Sequence, residues 1–272
     1  VEPKKIAPQQ MPLRKVKRHR SMKDMRARLS PDLSSLHHKI LSWNYFASGD
    51  TPSTSDTTDY TLVSNSFRSP MEYKNTFEPL LILEAWQGFQ SAKEEGASSF
   101  RPFEVKVMTR LTVDSWIEVS TQPLGLPSKD FFISEGDLVL FSNSAKPHES
   151  ESNPHILARV AHVNRKGGKL EVTYRMNPGP NKFLQSFTVG ATAFGVKATS
   201  LTPVEREYGA LMALEYYDLC EEIVLAKPSP LLTYGDATLQ PYMDNYEINR
   251  AQAKAIKSAM DNDAFTLIQG PP

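Results

Sequence analysis

The sequence predicts a mixed α and β fold: a leading helix, two amphipathic helices framing an inserted set of short antiparallel strands, and then a helix, a turn and a buried strand. Three observations carry this. The same helix-start grammar occurs twice, at Ser69-Pro70-Met71-Glu72 and Thr202-Pro203-Val204-Glu205. The stretch between alternates apolar and polar residues with period two and is punctuated by turn signals. Finally, Asn249 to Pro272 reads as an Ala-rich helix, a polar break at Asp261-Asn262-Asp263, and an apolar run from Ala264 to Gln269 leading into Gly270-Pro271-Pro272.

Residues 1–29 form a basic arm with ten Lys/Arg against two acids, a net charge of +8, so the zero overall charge hides a remainder of −8. Such an arm suits contact with nucleic acid, a nuclear-import address, a brace against the acidic body, or a solvated tail. Residues 30–68 are read as a brace helix and a Ser/Thr-rich loop. Ser30 stands as cap with Pro31 at the first helical position, and Leu33, Leu36, Ile40 and Trp43 form one stripe. His37 and His38, adjacent in the chain, face different sides, which argues against a paired metal site.

Residues 69–98 and 202–227 are the two amphipathic helices, expected to pair antiparallel. Glu72 and Glu205 complete the two capping boxes, Pro79 is expected to kink or restart the first helix, and Pro228 stops the second. Residues 99–201 are read as a small β-barrel of five or so strands. Phe103 to Val119 forms one alternating run, Asp137–Phe141 and Ile156–Asn164 are the next strands, Arg165–Gly168 is a hairpin turn, and Leu170–Met176 and Thr192–Ala198 follow. Small barrels of this kind grip single strands through basic and aromatic side chains. The candidates are Arg110, Trp116, Arg165, Lys166 and Lys169, with Tyr174 and Arg175. Trp116, on the polar side of its strand, either stacks a base or packs against one of the framing helices.

Residues 228–272 hold a linker rich in proline and aromatics, then the terminal helix and strand. A short apolar run of this kind fits a strand buried on both faces of a parallel sheet, and Gly270 stands where a phosphate loop, G-x-x-x-x-G-K-[ST], begins. Asn249-x-x-Gln252 is equally a capping box, and a glutamine fixed at a helix start is well placed to present its amide to a base.

With Gln252 placed 18 residues before Gly270, these residues resemble the Q motif and first ATPase motif of superfamily-one RNA/DNA helicases of the 5′-to-3′ branch. Upstream, Glu72-Tyr73-Lys74-Asn75-Thr76-Phe77-Glu78-Pro79-Leu80-Leu81 with Glu84 and Trp86 resembles senataxin-type helicases, which act in transcription termination and R-loop removal. The resemblance implies a two-helix stalk carrying the barrel at its far end, followed by the start of a RecA-like α/β nucleotide-binding domain. It implies ATP and Mg2+ as cofactors. Gln252 would read adenine, Asn249, Tyr246 and Tyr242 would lie near it, and Gly270, Pro271 and Pro272 would begin the phosphate loop. The magnesium ligands would fall beyond Pro272. Expected partners are single-stranded RNA or DNA, the rest of the helicase core and transcription machinery, in the nucleus and without a membrane.

The chain opens at Val1 without a methionine and stops inside a motif, so both ends are expected to be cut and this stretch alone to lack hydrolysis. One cysteine, Cys220, excludes an intrachain disulfide framework. No apolar run reaches the ~18 residues of a membrane helix, no signal peptide is visible, the histidines lack metal-ligand spacing, and no G-x-S-x-G elbow occurs. The alternative to a helicase segment is a non-enzymatic module whose barrel and arm bind nucleic acid or protein.

Overall fold

The computed structural model describes residues 21–52, 60–96, 101–125, 131–166, 169–227 and 232–262, with the single residues 266, 268 and 270. The chain divides into two bodies, one from 30–63 and 74–213, the other from 1–29, 64–73 and 214–272.

The first body is organised around a barrel. Strands β1 (Phe103–Val113), β2 (Trp116–Leu124), β3 (Asp137–Ser142), β4 (His155–Lys166), β5 (Lys169–Met176) and β6 (Thr192–Ser200) close in the order β1-β2-β5-β4-β3-β6, every pairing antiparallel. Closure leaves the main-chain ladder without open sheet edges. The run from Phe103 to Val119, expected as one strand, is a hairpin: Asp114 turns with φ 52° and Val113 pairs with Trp116. Aspartate is among the few residues that visit this left-handed region routinely. A bulge between Val107 and Thr109 shifts the alternation, which leaves Leu111, expected inside, 61% exposed.

Val105, Val107, Val119, Val139, Phe141, Val160, Val172 and Tyr174 fill the barrel. The short helix α4 (Lys182–Ser186), capped by Asn181 Oδ1 accepting from the Phe183 and Leu184 amides, supplies Phe183 to the same core. In the element numbering, α1 (Met22–Leu29), α2 (Ser34–Leu41) and α3 (Pro70–Gly96) precede the barrel, and α5 (Thr202–Met212) follows it. A second apolar cluster joins Leu36 and Ile40 of α2, Trp86 and Phe89 of α3, and Val204 and Tyr208 of α5 to Leu138, Leu140, Leu157, Val196 and Ala198 of the strands. Strand β3 is therefore buried on both faces, which explains its unbroken apolar sequence.

Three expectations change here. The helix expected to run to Lys227 ends at Met212 and continues as a 3-10 turn, Leu214–Tyr216, and a short α6 (Cys220–Val224). Tyr216, Tyr217 and Asp218 are weak helix formers placed in succession. The second framing helix is thus shorter than expected, though α5 meets α3 through Tyr208 Oη donating to Glu78 Oε1 at 3.1 Å, and α2, α3 and α5 share one apolar cluster with the barrel's outer wall. Helix α2 starts at Ser34 and not at Ser30, with Asp32 Oδ1 accepting from the Ser34 amide at 2.9 Å. Helix α3 runs through Pro79, which forfeits one backbone bond without ending it. Part of the loop expected from 47 to 68 is pinned: Trp86 Nε1 donates to Gly49 O at 2.9 Å and Lys93 Nζ to Ala47 O at 3.0 Å.

In the second body, Ser69 Oγ accepts from the Glu72 amide and the Glu72 carboxylate from the Arg68 amide, so the expected cap forms one residue wider. The proline-rich linker contains a helix, α7 (Asp236–Tyr246), which takes Pro241 into its interior. It pairs with α8 (Arg250–Asp261) through Arg250 Nε to Asp236 Oδ1 at 2.8 Å, and Tyr234, ahead of α7, donates its hydroxyl to Asp261 at 2.9 Å. Residues 1–20 of the basic arm, and Ala264, Phe265, Leu267, Gln269, Pro271 and Pro272 of the expected strand and phosphate loop, lie outside the described residues.

Candidate functional site

The start of α8 is built by its own sequence. Asn249 Oδ1 accepts from the Gln252 amide at 3.0 Å, and Gln252 Oε1 accepts from the Asn249 amide at 2.9 Å, so both halves of the capping box are present. This satisfies two helix-terminal N–H groups and holds the Gln252 side chain in one rotamer. Gln252 is exposed, and its amide nitrogen has no partner among the described residues. A fixed amide with a free N–H donor, and a second lone pair on Oε1, can pair with a donor and acceptor on a base edge. Tyr246, 65% exposed, closes α7 just before the left-handed turn at Glu247, φ 51°. Tyr242 directs its hydroxyl to Met260 Sδ at 3.9 Å. A Cβ at Gly270 would meet nothing within 4 Å among the described residues.

The barrel candidates separate. Arg110 Nη1 donates to Leu184 O at 2.6 Å and to Phe187 O at 3.2 Å, which ties β1 to the end of α4. Trp116 is 5% exposed and lies under His38, ring centroids 3.8 Å apart and planes 7° from parallel. Its ring is therefore covered and not open to a base. It packs against a helix, but that helix is α2, ahead of the pair that frames the barrel. Tyr174 points inward and is fully buried, and Arg175 Nε pairs with Glu118 at 2.7 Å. Arg165 is exposed, and its Nη2 donates to Phe131 O at 3.1 Å. Lys169 is exposed and outward, with Lys166 opposite it in register.

Sequence reading missed the principal charged cluster of this body. Arg159 on β4 makes a two-pronged contact to Glu205, Nε at 2.5 Å and Nη2 at 3.2 Å, and His37 Nε2 meets the same carboxylate at 2.9 Å. Glu205 is 12% exposed at its side chain. Burial works to raise its pKa; hydrogen bonds from His37 and Arg159, with their charge, outweigh burial and hold it down to about 2. Glu205 thus serves as a buried hub and not as the capping partner expected of it. No short-range spacing links positions 37, 159 and 205; only the folded pairing of α2, β4 and α5 does. His38 completes the attachment of α2, with Nδ1 at 2.7 Å from Asn177 Oδ1 and Nε2 at 3.0 Å from Ser115 Oγ. The two histidines do face different partners, as expected. Among the described residues no three His, Cys, Asp or Glu side chains converge as a metal site, and no helix is long and apolar enough to cross a membrane.

Comparison with known proteins gives this arrangement relatives. The family model for the "Helicase SEN1 beta-barrel domain" matches residues 98–198, the span that contains all of β1 to β5 and most of β6. Helicase SEN1 of Saccharomyces cerevisiae is 33% identical over 261 residues, 92% of this chain and 12% of the yeast protein. Helicase sen1 of Schizosaccharomyces pombe is 26% identical over 258 residues, 93% of this chain and 15% of that protein. The chain therefore spans only about an eighth of the length of these relatives, yet nearly all of it aligns with them. With the barrel matched by its own family model and more than nine tenths of the chain aligned with each relative, these likenesses support a Sen1/senataxin-type helicase N-terminal region, the part that carries the β-barrel.

Proposed function

We propose that this chain is the N-terminal part of an ATP-dependent RNA/DNA helicase core that translocates on single strands and unwinds RNA–DNA or DNA duplexes, acting in the nucleus in transcription termination and R-loop removal. The observation that carries the reading is the start of α8, where Gln252 is fixed by its capping box with its amide exposed. That geometry fits an adenine reader. Tyr246 and Asn249 adjoin it in sequence, and Gly270, Pro271 and Pro272 open the phosphate loop of a RecA-like domain. Helix α8 supports the same reading: Ile256 and Met260, on one side of the helix, are 38% and 67% exposed, an apolar stripe suited to packing beneath a nucleotide-binding sheet. ATP is the proposed cofactor together with Mg2+, whose ligands lie outside these residues. In phosphoryl transfer the protein contributes positioning and charge, so the parent's activity depends on residues after Pro272.

The test is RNA-stimulated ATP hydrolysis by a chain extended through the remainder of the core, compared with the same chain carrying Gln252→Ala. We expect strong stimulation by single-stranded RNA and at least a ten-fold loss in kcat/KM for ATP in the variant. An extended chain that does not hydrolyse ATP would return the function to the alternative, a non-enzymatic module that binds nucleic acid or protein through its barrel and arm.

A further inference from the structure

We infer that Ser21 is a phosphorylation site for a protein kinase with an acidic substrate groove, and that its phosphate lowers the charge of the basic arm where α1 begins; this goes beyond the helicase reading and does not depend on it. The residues before it are Arg14-Lys15-Val16-Lys17-Arg18-His19-Arg20, with Arg18 three positions and Arg20 one position ahead of the hydroxyl. A kinase takes its substrate as an extended segment, so it reads sequence position, and arginine pairs bidentately with the carboxylates of such a groove. No other arginine in the sequence stands three residues before a serine or threonine. Lysine stands there for Ser42, Thr109 and Ser200, but Ser42 donates its hydroxyl to Lys39 O at the end of α2, and Thr109 and Ser200 are paired within β1 and β6.

Ser21 is exposed, and Met22 after it is 70% exposed, an apolar side chain open to a pocket beside the phosphate-accepting hydroxyl. Helix α1 buries none of its side chains and is attached at its far end, where Arg28 lies 5.7 Å over the Tyr217 ring. Its first turn is closed by a reciprocal cap: Ser21 Oγ accepts from the Asp24 amide and Asp24 Oδ2 from the Ser21 amide, each at 3.1 Å. A turn closed in this way, with no apolar area buried, opens at little cost and lets the segment extend into a kinase groove. In the transfer, Ser21 Oγ attacks the γ-phosphorus of kinase-bound ATP. The new O–P bond forms, the bond from that phosphorus to the β–γ bridging oxygen breaks, ADP leaves, and the hydroxyl proton passes to the kinase's catalytic aspartate. The phosphate carries about −2 at pH 7, so residues 1–29 fall from +8 to about +6. Its oxygens can take over the Asp24 amide at the helix start, while like charge drives the Asp24 carboxylate off the Ser21 amide, so the cap becomes one-sided.

The full 272-residue chain is incubated with Mg-ATP and the catalytic subunit of cyclic-AMP-dependent protein kinase, a probe with an acidic groove, and the phosphate is located by mass spectrometry. We expect about one phosphate per chain, on Ser21, lost in Ser21→Ala and taken up roughly ten-fold more slowly by Arg18→Gln. Thermal melts that overlay wild type show that both variants are folded, as a helix without buried side chains requires. A chain that takes up no phosphate overturns the site, as does phosphate on other hydroxyls with Ser21 bare, or a rate indifferent to Arg18→Gln. The charge effect is read separately: the phosphorylated chain should leave a heparin column at lower salt than the bare chain, and Ser21→Ala passed through the same kinase reaction should not shift. Elution at unchanged salt overturns the switch. ATP hydrolysis by the extended chain bears on the helicase reading and leaves this site as it stands.

Discussion

Glu205 concentrates more of the fold's electrostatics than any other described side chain. Its carboxylate is shared by Arg159 and His37, at 2.5 and 2.9 Å, in a site where water screens little. Removing one member of a buried ion pair costs more than the pair contributes, because the partner is left charged and unmatched. Glu205→Ala is therefore expected to destabilise the barrel body by about 3 kcal/mol in urea unfolding. The pH dependence has a definite sign. With a folded pKa of about 2 against an ordinary 4.5, the stabilising contribution is complete above pH 4.5 and is lost as pH falls toward 2. Acid titration of the melting temperature should show a steeper fall in wild type than in Glu205→Gln over that window; parallel curves would remove Glu205 as the source. Gly136, beside it, has φ +83°, and a Cβ there would stand 2.8 Å from Thr202 Oγ1. Gly136→Ala should cost about 1–3 kcal/mol, read from the same unfolding curves.

At the scale of elements, α8 depends on its first turn. Asn249→Ala removes the cap and frees the Gln252 side chain, and should cost about 1 kcal/mol and raise amide hydrogen exchange at residues 250–253 while the end of α8 is unchanged. Unaltered exchange there would mean that tertiary contacts, not the cap, fix Gln252. This capping box was legible in the sequence because its two partners are three residues apart. Strands β3 to β6 were legible for a related reason, since alternation and turn residues are local signals. The hairpin at Asp114 was hidden because apolar residues continue across it with nearly the same period, and the bulge at Met108 leaves no mark in composition. The broken helix after Met212 shows the opposite error: apolar spacing persisted through Leu219 and Ile223, while backbone propensity at Tyr216-Tyr217-Asp218 decided the outcome. Trp116 was misplaced among the open aromatics because its partner, His38, is 78 residues away.

For the molecule as a whole, the division into two bodies makes a claim about cooperativity. The barrel body holds both large apolar clusters, whereas the body containing α7 and α8 buries little beyond Leu239 and Ala253 among its last two helices. Segments with few buried apolar contacts open at lower free energy than the core of a closed sheet. Phe141 provides the lever, because it is fully buried and touches Tyr174 edge-on at 4.8 Å and Phe187 at 5.4 Å. Phe141→Ala leaves a cavity at the centre of the barrel that its stiff wall cannot close, at an expected cost of about 3–5 kcal/mol. Hydrogen exchange should then report faster opening throughout β1 to β6 and no change at the amides of α7 and α8. If α8 lost protection in step with the strands, the two bodies would open as one unit. The presentation of Gln252 would then depend on the barrel's integrity.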